Sequence, residues 1–352
     1  MTSAYEVTLD ALGALLGGEP GYRTRQVWEG LHRRALRPGE MTDLPRPLRD
    51  HLDEQLPPAL TEVASRAADN GATTKWLFAL DDGSMVETVL MRYDDRTTVC
   101  VSTQAGCAMG CRFCATGQQG FTRHLREGEI VEQVVAAMRA VRPDRVRNVV
   151  FMGMGEPLSN FDRLWAAIER LHGAMGFSAR HLTVSTVGIV PGIVRLASAP
   201  LPVNLAVSLH AANDVLRDQL VPINRRYPLG PLLEACARYV DATHRRLSVE
   251  WALIDGVNDR PSDADELAEV ALGLRAHVNL IPLNPTPGYL VRGSAPDRVR
   301  AFRDHLADRH VNVTVRSTRG VEIDAACGQL AVQATASEPV TVGRRPGSAA
   351  GA

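Results

Sequence analysis

The strongest constraint on the fold is an alternation of β-branched runs with amphipathic segments, which begins near residue 97. The runs predict six strands, at residues 97–102, 147–153, 181–186, 203–209, 247–254 and 277–283. The first amphipathic segment places Ile130, Val134 and Ala137 on one helical face, and Asn160 is the predicted N-cap of the next helix. Strands that alternate with helices predict an α/β fold, here a partial (βα)6 barrel over residues 91–310.

The two ends of the chain follow other patterns. Residues 1–90 contain helical segments broken by GGEPG and by prolines, and then a hairpin signal around DDGS. They predict an N-terminal accessory domain of α-helices and a β-hairpin. The strand pattern VNVTVRS opens a C-terminal extension at residues 311–332, and residues 333–352, rich in Gly, Ala and Pro, are predicted to be disordered.

Length and composition limit the location of the protein. With 352 residues, of which 45% are apolar, the chain can bury a substantial core. Its apolar runs fall short of the roughly 18 to 20 residues that a membrane span requires, and its N-terminus lacks the pattern of an export signal. We therefore expect a cytoplasmic protein with no membrane partner.

The charge of the chain does not by itself indicate nucleic acid, because the net value is −1. Lys75 is the only lysine, so arginine dominates the basic side chains. Arginines form local groups at Arg33, Arg34 and Arg37, at Arg139, Arg142, Arg145 and Arg147, and at Arg225 and Arg226. Each group fits a solvated face of the protein.

Three cysteines, Cys107, Cys111 and Cys114, form a CxxxCxxC motif directly after the first predicted barrel strand. Loops at the carboxyl ends of barrel strands build active sites, so three thiolates there can hold a metal centre. Three thiolates suit a four-iron four-sulfur (4Fe–4S) cluster, because one iron is left open for a substrate or cofactor. Phe113, between the last two cysteines, would shield such a cluster.

A zinc site is the alternative interpretation of this motif. Cys100 or His124 would supply the fourth ligand, and the protein would then be a zinc-stabilised RNA-binding module without catalysis. Structural zinc sites favour separated CxxC pairs, whereas CxxxCxxC at the opening of a βα barrel is a narrower signal. Six cysteines in a chain of this length also do not form a disulfide scaffold.

Five segments carry a resemblance to a known family: CVSTQAGCAMGCRFCATGQQGF, GMGEPLSN, HLTVSTVGI, LAVSLHA and IDAACGQL. Together they resemble the RlmN and Cfr family of radical S-adenosylmethionine (SAM) RNA methyltransferases, from about Gly21 to Leu330. The resemblance implies methylation of adenosine in 23S rRNA and, for the RlmN branch, in certain tRNAs. It also implies one 4Fe–4S cluster, two SAM molecules consumed per methylation, and an electron donor such as flavodoxin or ferredoxin.

The resemblance implies a role for individual residues. It makes Cys107, Cys111 and Cys114 the cluster ligands, Cys327 the methyl-carrying cysteine, Cys100 its partner thiol and Glu87 the residue that handles the proton. The positions that match SAM contacts are Gly155, Glu156, Ser185, Ser208, Leu209, His210 and Asn284. Cys236 matches no functional position, and its apolar neighbours predict a core residue.

The implied chemistry explains why two cysteines outside the motif are needed. Adenine C2 is electron-poor and cannot attack SAM, so Cys327 takes the methyl group as S-methylcysteine. A 5′-deoxyadenosyl radical then abstracts hydrogen from that methyl group, and the carbon radical adds to C2. Glu87 removes the C2 proton while Cys100 attacks the Cys327 sulfur, which leaves a disulfide.

Two further questions are which adenine carbon is methylated and which residues hold the RNA. The segment VRSTRGVEIDAACGQL is more like the RlmN branch, which implies adenine C2; a Cfr-like enzyme that methylates adenine C8 is the alternative. In either case the RNA must present an unstacked adenine to the barrel mouth. The accessory domain and the arginine groups are the candidates for holding the RNA.

Overall fold

The computed structural model describes residues 3–286, 289, 291–316 and 319–330, so the predicted disordered tail, residues 333–352, lies outside the described residues. In the described part, ten strands form one sheet and two further strands pair with each other. The strands are β1 (Thr61–Ala68), β2 (Thr73–Ala79), β3 (Met85–Arg92), β4 (Thr97–Cys100), β5 (Gln104–Gly106), β6 (Phe121–His124), β7 (Asn148–Phe151), β8 (Leu182–Thr186), β9 (Asn204–Ser208), β10 (Ser248–Leu253), β11 (His277–Pro282) and β12 (Asn312–Val315). The order in the large sheet is β1-β2-β3-β4-β7-β8-β9-β10-β11-β12.

The barrel is the parallel part of this sheet. From β4 through β7 to β12 each strand is parallel to its neighbour. The six predicted strands are confirmed, and VNVTVRS adds β12 beside them. Because the strands are parallel, their carboxyl ends share one edge of the barrel and their amino ends share the other. We call these the carboxyl edge and the amino edge.

Helices accompany the strands. They are α1 (Leu9–Leu15), α2 (Gly21–His32), α3 (Arg46–Gln55), α4 (Ala115–Gln119), α5 (Glu127–Ala140), α6 (Phe161–Gly173), α7 (Val190–Ala197), α8 (Asp214–Leu220), α9 (Leu229–Thr243), α10 (Pro261–Gly273) and α11 (Pro296–Asp308). The predicted face of α5 is buried, as Ile130 and Val134 show. Asn160 occupies the predicted N-cap position of α6, but its side chain does not cap the helix. It donates instead to the backbone oxygens of Thr103 and Leu125, at 3.0 and 2.8 Å.

The N-terminal part joins the barrel through the sheet. Strands β1, β2 and β3 pair antiparallel, with the predicted hairpin turn between β2 and β3, and β3 pairs antiparallel with β4. The sheet is therefore continuous across residue 90, where the sequence predicts the end of an accessory domain. Glu132 of α5 adds a polar link, because its carboxylate accepts hydrogen bonds from the Ser3 hydroxyl and from the backbone N–H groups of Ala59 and Leu60.

Two of the predicted arginine groups contribute to this packing. Arg139 donates to the backbone oxygen of Ala35 at 2.7 Å, and Arg142 donates to the same oxygen at 2.6 Å. Arg33 donates to the backbone oxygen of Gly173 at 3.4 Å. These cations join the N-terminal helices to the barrel, so they are not simply part of a solvated face.

A buried apolar cluster runs from the N-terminal helices through the barrel, with Trp251, Tyr239 and Phe151 among its largest side chains. Cys236 is 1% exposed within it, which confirms the prediction of a core residue. Among the described residues, no helix has the length and apolar character needed to cross a membrane. The core thus holds the strands whose ends shape the candidate site.

Candidate active site

A cavity of about 160 Å³ opens at the carboxyl edge of the barrel, where parallel barrels carry their active sites. Most of the predicted cluster and SAM residues line it: Cys107, Cys111, Cys114, Gly155, Glu156, Ser185, Ser208, His210 and Asn284. Phe113 and Cys327 line it as well. The strand order thus gathers residues from distant parts of the sequence into what we call the carboxyl-edge cavity.

The three motif cysteines lie between β5 and α4. Cys107 N–H donates to the backbone oxygen of Gly120 at 2.7 Å, and Cys114 is the N-cap of α4. Burial, together with the nearby Cys114, raises the pKa of the Cys107 thiol to about 12. Among the described residues, no three His, Cys, Asp or Glu side chains converge to hold a single metal ion. All three thiols border the carboxyl-edge cavity, and three thiolates suit a 4Fe–4S cluster with one iron left open.

The loop after β7 presents Gly155 and Glu156 to the cavity. Gly155 has φ +99°, and a Cβ atom there would lie 2.4 Å from the Cβ of Gln104, so only glycine fits. The buried carboxylate of Glu156 accepts hydrogen bonds from the backbone N–H groups of Leu158, at 3.0 Å, and Val187, at 2.9 Å. Burial raises the pKa of Glu156 to about 7, so a cationic ligand in the cavity would favour its ionised form.

The strand ends β8 and β9 add Ser185, Ser208 and His210. The backbone N–H of Ala252 donates to His210 Nδ1 at 2.9 Å, which leaves the ring proton on Nε2. Burial lowers the pKa of His210 to about 3, so the ring is neutral. Leu209 differs from its neighbours, because its side chain belongs to the core and is not part of the described cavity lining.

Arg217 of α8 fixes these loops, and sequence reasoning missed it. Its guanidinium donates to the backbone oxygens of Val187, at 2.6 Å, and Leu209, at 3.1 Å, and to the side-chain oxygen of Asn224, at 2.7 Å. Burial lowers the pKa of Arg217 to about 10. No sequence signal distinguishes this arginine, because in DVLRDQL it looks like an ordinary helical surface residue.

The C-terminal segment brings Cys327 to the same place. The backbone oxygen of Cys327 accepts a hydrogen bond from the Asn284 side chain at 3.1 Å, and Gly328 accepts one from the backbone N–H of Ala115 at 2.8 Å. The thiol itself is exposed, and Arg316 Nη1 lies 3.9 Å from its sulfur. The segment is therefore held at both the end of β11 and the start of α4, with a cation beside its thiol.

Arg316 also has a buried carboxylate on its other side. Glu250 Oε2 lies 3.7 Å from Arg316 Nε, and the Asn279 side chain donates to Glu250 Oε1 at 2.8 Å. Burial alone would lower the pKa of Arg316, but Glu250 and Cys327 together raise it above its usual value. Sequence reasoning did not single out Arg316 or Glu250, because each is an isolated charge in a strand or strand end.

A second and larger cavity, of about 670 Å³, extends through the barrel from strand starts at the amino edge, such as Asn148 and Asn204, to carboxyl-edge residues such as Met152 and Asn284. We call it the amino-edge cavity. Cys100 lines only this amino-edge cavity, whereas Cys114, Asn284, Arg316 and Cys327 line both cavities. Both Cys100 and Cys327 are free thiols. Burial and then the nearby Cys327 raise the pKa of the Cys100 thiol to about 12. Cys327 thus stands at the junction of the two cavities, whereas Cys100, the last residue of β4, lines the amino-edge cavity alone.

Glu87 lies on β3, buried, and is not in the described lining of either cavity. Its carboxylate is 2.8 Å from the ammonium of Lys75, which is its diagonal neighbour on β2. Lys75 also donates to the backbone oxygen of Asp324 at 3.2 Å, three residues before Cys327. Sequence reasoning missed the contact of Lys75, although a single lysine within the apolar strand TTKWLFA is an unusual feature.

The comparisons with known proteins agree with this geometry. The sequence pattern of the Radical SAM superfamily matches residues 101–269. The crystal structure of a radical SAM methyltransferase from Sphaerobacter thermophilus matches with a TM-score of 0.90 and 50% identity, over 94% of this chain and 99% of that chain. Fold and three-thiol cavity therefore define a radical SAM enzyme, a class that uses a 4Fe–4S cluster and SAM.

Individual relatives show to which family within the radical SAM class the chain is similar. "Probable dual-specificity RNA methyltransferase RlmN" of Frankia casuarinae is 54% identical over 331 residues, which are 90% of this chain and 79% of that protein. "Dual-specificity RNA methyltransferase RlmN 1" of Myxococcus xanthus is 49% identical, over 93% of both chains. The chain belongs to the RlmN family of radical SAM RNA methyltransferases. The resemblance is thereby confirmed, and a zinc-stabilised module without catalysis is excluded.

Proposed function

We propose that this enzyme converts adenosine to 2-methyladenosine in 23S rRNA and in tRNA, with Cys327 as the carrier of the methyl group. The observation that carries the proposal is the position of Cys327 between the cavity of the three motif thiols and the cavity of Cys100. A carrier that receives a methyl group on one side and delivers it on the other needs this position. The names of the relatives, dual-specificity RNA methyltransferases, support two kinds of RNA substrate.

The carboxyl-edge cavity would hold the cofactors. Its three thiols suit the cluster, and the SAM contacts are assigned to Gly155, Glu156, Ser185, Ser208, Leu209, His210 and Asn284. When bound, the cluster and SAM supply a methyl group and a one-electron route to a carbon radical, with flavodoxin or ferredoxin as the electron donor. Glu156 offers carboxylate oxygens to the SAM ammonium, and the neutral ring of His210 offers Nε2–H as a donor.

Cys327 receives the methyl group because a thiolate is a good nucleophile, whereas adenine C2 is electron-poor and cannot attack the methyl donor. The exposure of its side chain admits a methyl donor from the carboxyl-edge cavity. The guanidinium of Arg316 lies 3.9 Å from the Cys327 sulfur, so a cation borders the atom that takes the methyl group. The hydrogen bond from Asn284 to the Cys327 backbone holds the loop beside the cofactor site during this step.

The release of the product uses Glu87 and Cys100. Once a methylene group joins the Cys327 sulfur to adenine C2, Glu87 takes the C2 proton and Cys100 attacks that sulfur. The sulfur–carbon bond breaks as the disulfide forms, and its electron pair passes to the methylene carbon, which takes up the proton of the Cys100 thiol and becomes the methyl group. The one electron left over from the radical addition would return to the cluster, and cellular thiols reduce the disulfide before the next turnover. The ammonium of Lys75, 2.8 Å from Glu87, favours the ionised carboxylate that can accept this proton.

Nucleoside mass spectrometry tests the proposal. We expect 23S rRNA and tRNA from a strain that lacks this gene to lose 2-methyladenosine, and the wild-type gene to restore it. A gene with Cys327→Ser should not restore it, whereas Cys236→Ser, a change in the core, should. Loss of 8-methyladenosine instead would assign a Cfr-like function, and unchanged 2-methyladenosine in both RNAs would refute the proposal.

A further inference from the structure

The C-terminal segment that contains Cys327 is held at two separate places. We call residues 319–330 the carrier segment. Its end contacts the loops of the cofactor site, where the backbone oxygen of Cys327 accepts a hydrogen bond from Asn284 at 3.1 Å and the Gln329 side chain donates to the backbone oxygen of Pro285 at 3.1 Å. Its beginning contacts the antiparallel strands β1 to β3 and their turn instead. The second set of contacts has no part in holding the cofactors.

Asp69, in the turn between β1 and β2, is the centre of these contacts. Its carboxylate accepts hydrogen bonds from the backbone N–H of Gly320, at 3.0 Å, and from the hydroxyl of Thr73, at 2.5 Å. Thr73 is buried on β2, so its hydroxyl fixes the direction of the carboxylate. Arg319 donates to the backbone oxygen of Arg92, the last residue of β3, at 2.9 Å. Two successive residues of the carrier segment are therefore tied to the antiparallel strands.

Gly320 permits this close approach and begins a tight turn. Its φ is +66°, and a Cβ atom there would lie 2.7 Å from the Cβ of Ala325 and 2.9 Å from Cγ2 of Thr73. The backbone oxygen of Gly320 accepts hydrogen bonds from the N–H groups of Ile323, at 3.2 Å, and Ala325, at 2.9 Å. Ile323 and Ala325 belong to the buried apolar cluster. The turn is thus packed against the core and ends two residues before Cys327.

Lys75 connects this turn to the residues that release the product. Its ammonium lies 2.8 Å from the Glu87 carboxylate and donates to the backbone oxygen of Asp324 at 3.2 Å. Cys100 lies near Glu87 in the sheet, because it pairs with Val89 on β3, two residues beyond Glu87. The strands that hold the beginning of the carrier segment are therefore continuous with those that carry the proposed base and the resolving thiol.

The two stages of the proposed reaction need different contacts. In the loading stage the Cys327 sulfur must lie beside SAM, and the contacts of Asn284 and Gln329 keep it there. In the release stage the same sulfur must lie in line with Cys100 and close to Glu87. A displacement of about 1 Å can slow such a step by about a hundredfold. Each stage therefore depends on a different end of the carrier segment.

We propose that Asp69 is a positioning residue for the release stage, because through Gly320 it aligns Cys327 with Glu87 and Cys100. This inference rests on the proposed function, since it assigns a task within the same reaction. It makes the turn between β1 and β2 part of the reaction site, whereas the sequence predicts for residues 1–90 only an accessory domain that holds RNA.

Substitutions that suit the backbone of the turn test this role without adding strain. Asp69 has φ +51° and Asn70 has φ +54°, angles that glycine and asparagine adopt readily. Asp69→Gly removes the acceptor, whereas Asp69→Asn keeps a side-chain oxygen for the Gly320 N–H. Asn70→Gly is the matched control, because it makes the same backbone change at the neighbouring exposed residue. Gln329→Leu removes a contact at the other end of the carrier segment.

Two rates are measured in full-length protein that contains its cluster. The loading rate is the SAM-dependent methylation of Cys327 without RNA, followed by peptide mass spectrometry. The release rate is the disappearance of the covalent RNA adduct of Cys327 in a single-turnover reaction that dithionite starts. For Asp69→Gly we expect wild-type loading and release slowed about fivefold, the effect of one ordinary hydrogen bond. Gln329→Leu should slow loading more than release, and Asp69→Asn and Asn70→Gly should keep both rates.

The stability of the disulfide between Cys100 and Cys327 gives a second measurement that needs neither SAM nor RNA. If Asp69 aligns the two thiols, its loss makes the disulfide easier to reduce. A fivefold change in the equilibrium with glutathione corresponds to about 20 mV in reduction potential. We expect this shift in Asp69→Gly, and wild-type potentials in Asp69→Asn and Asn70→Gly.

Loading at the wild-type rate also shows that Asp69→Gly is folded. Equal slowing of both stages in Asp69→Gly, unchanged release, slow release in Asn70→Gly, or an Asp69→Asn protein as slow as Asp69→Gly would each overturn the proposal. A wild-type protein that neither loads Cys327 nor methylates RNA would instead refute the proposed function itself. A wild-type protein that does both, with an unaffected Asp69→Gly variant, would refute only the role of Asp69.

Gly320→Ala tests the same contact from the carrier segment. The added Cβ would meet Thr73 and Ala325, so it pushes the turn away from β2. We expect release to be slowed more than in Asp69→Gly, while loading stays near the wild-type rate. A Gly320→Ala protein that loads slowly but releases normally would contradict the division of the carrier segment into two ends with separate tasks.

Discussion

The two cavities of the barrel meet at Cys327 but differ in chemistry. The carboxyl-edge cavity contains three buried or half-buried thiols, the buried carboxylate of Glu156 and a neutral histidine. The amino-edge cavity contains four arginines and no described acidic residue. The difference lies in the other arginines, because Arg316, which pairs with Glu250, lines both cavities, whereas Arg96, Arg180 and Arg319 line only the second.

The two cavities also differ in how their residues are distributed along the chain. The carboxyl-edge cavity uses compact motifs, such as CAMGCRFC and GMGEP, because each loop after a strand contributes several neighbouring residues. The amino-edge cavity uses single residues at separate strand starts, such as Asn148 and Asn204. A site made of motifs is visible in a sequence, whereas a site made of single residues is not.

The largest effect is expected from the motif cysteines. Cys111→Ala should abolish both cluster binding and RNA methylation, because two thiolates cannot hold the cluster that three hold. RNA affinity should stay near the wild-type value if the two cavities bind their ligands separately. The measurements are iron and acid-labile sulfide of anaerobically purified protein, and fluorescence anisotropy with a labelled RNA stem–loop that carries an unpaired adenine. Cys236→Ala is the matched control, and full iron content in Cys111→Ala would contradict the assignment.

The next effect concerns the cysteine pair at the junction. Cys100→Ala should stop the reaction after the methylene bridge forms, so the purified protein should carry RNA covalently bound to Cys327. The double variant Cys100→Ala with Cys327→Ala should carry none, because no carrier remains. After nuclease treatment, mass spectrometry of the Cys327 peptide measures the adduct. An unmodified peptide in the single variant would require both roles to be withdrawn.

A smaller effect is expected from Glu156. Glu156→Ala should weaken SAM binding by about tenfold or more, because a charge-assisted hydrogen bond contributes about 1.5 to 3 kcal/mol. Iron content and RNA affinity should remain near the wild-type values, since Glu156 lines only the carboxyl-edge cavity. Calorimetry with SAM measures the change, and Glu234→Ala, an exposed residue of α9, is the control. Unchanged SAM affinity would exclude Glu156 as a contact.

The smallest effect is expected from Lys75, whose ammonium pairs with the carboxylate of Glu87. Lys75→Met removes the cation beside Glu87 and should slow turnover by roughly tenfold through a misplaced base. Methyl transfer to Cys327 should continue, because it does not use Glu87. The ratio of methylated Cys327 peptide to methylated RNA therefore separates this role from a loss of folding. Lys75→Arg should keep part of the rate, and an unchanged ratio in Lys75→Met would show that the ion pair is only structural.

The sequence by itself determined the barrel and its cofactor side. The alternation of strands and helices predicted six parallel strands of a partial barrel, and parallel strands necessarily place their carboxyl ends together. The CxxxCxxC motif therefore had to lie at that edge, next to Gly155, Glu156 and His210. The assignment of Cys100, Glu87 and Cys327 to one reaction depended on family resemblance, since each is an ordinary residue when considered alone.

Only the tertiary structure decided which distant charges meet. Lys75 reaches Glu87 because the antiparallel register of β2 and β3 makes them diagonal neighbours, and no local pattern specifies that register. Arg96 and Arg180 meet because the parallel strands bring their starts together, whereas Arg316 and Arg319 reach the same cavity from the segment that follows β12. A solvated arginine and a cavity arginine look alike in sequence, because the difference between them is made by the packing of residues far away along the chain.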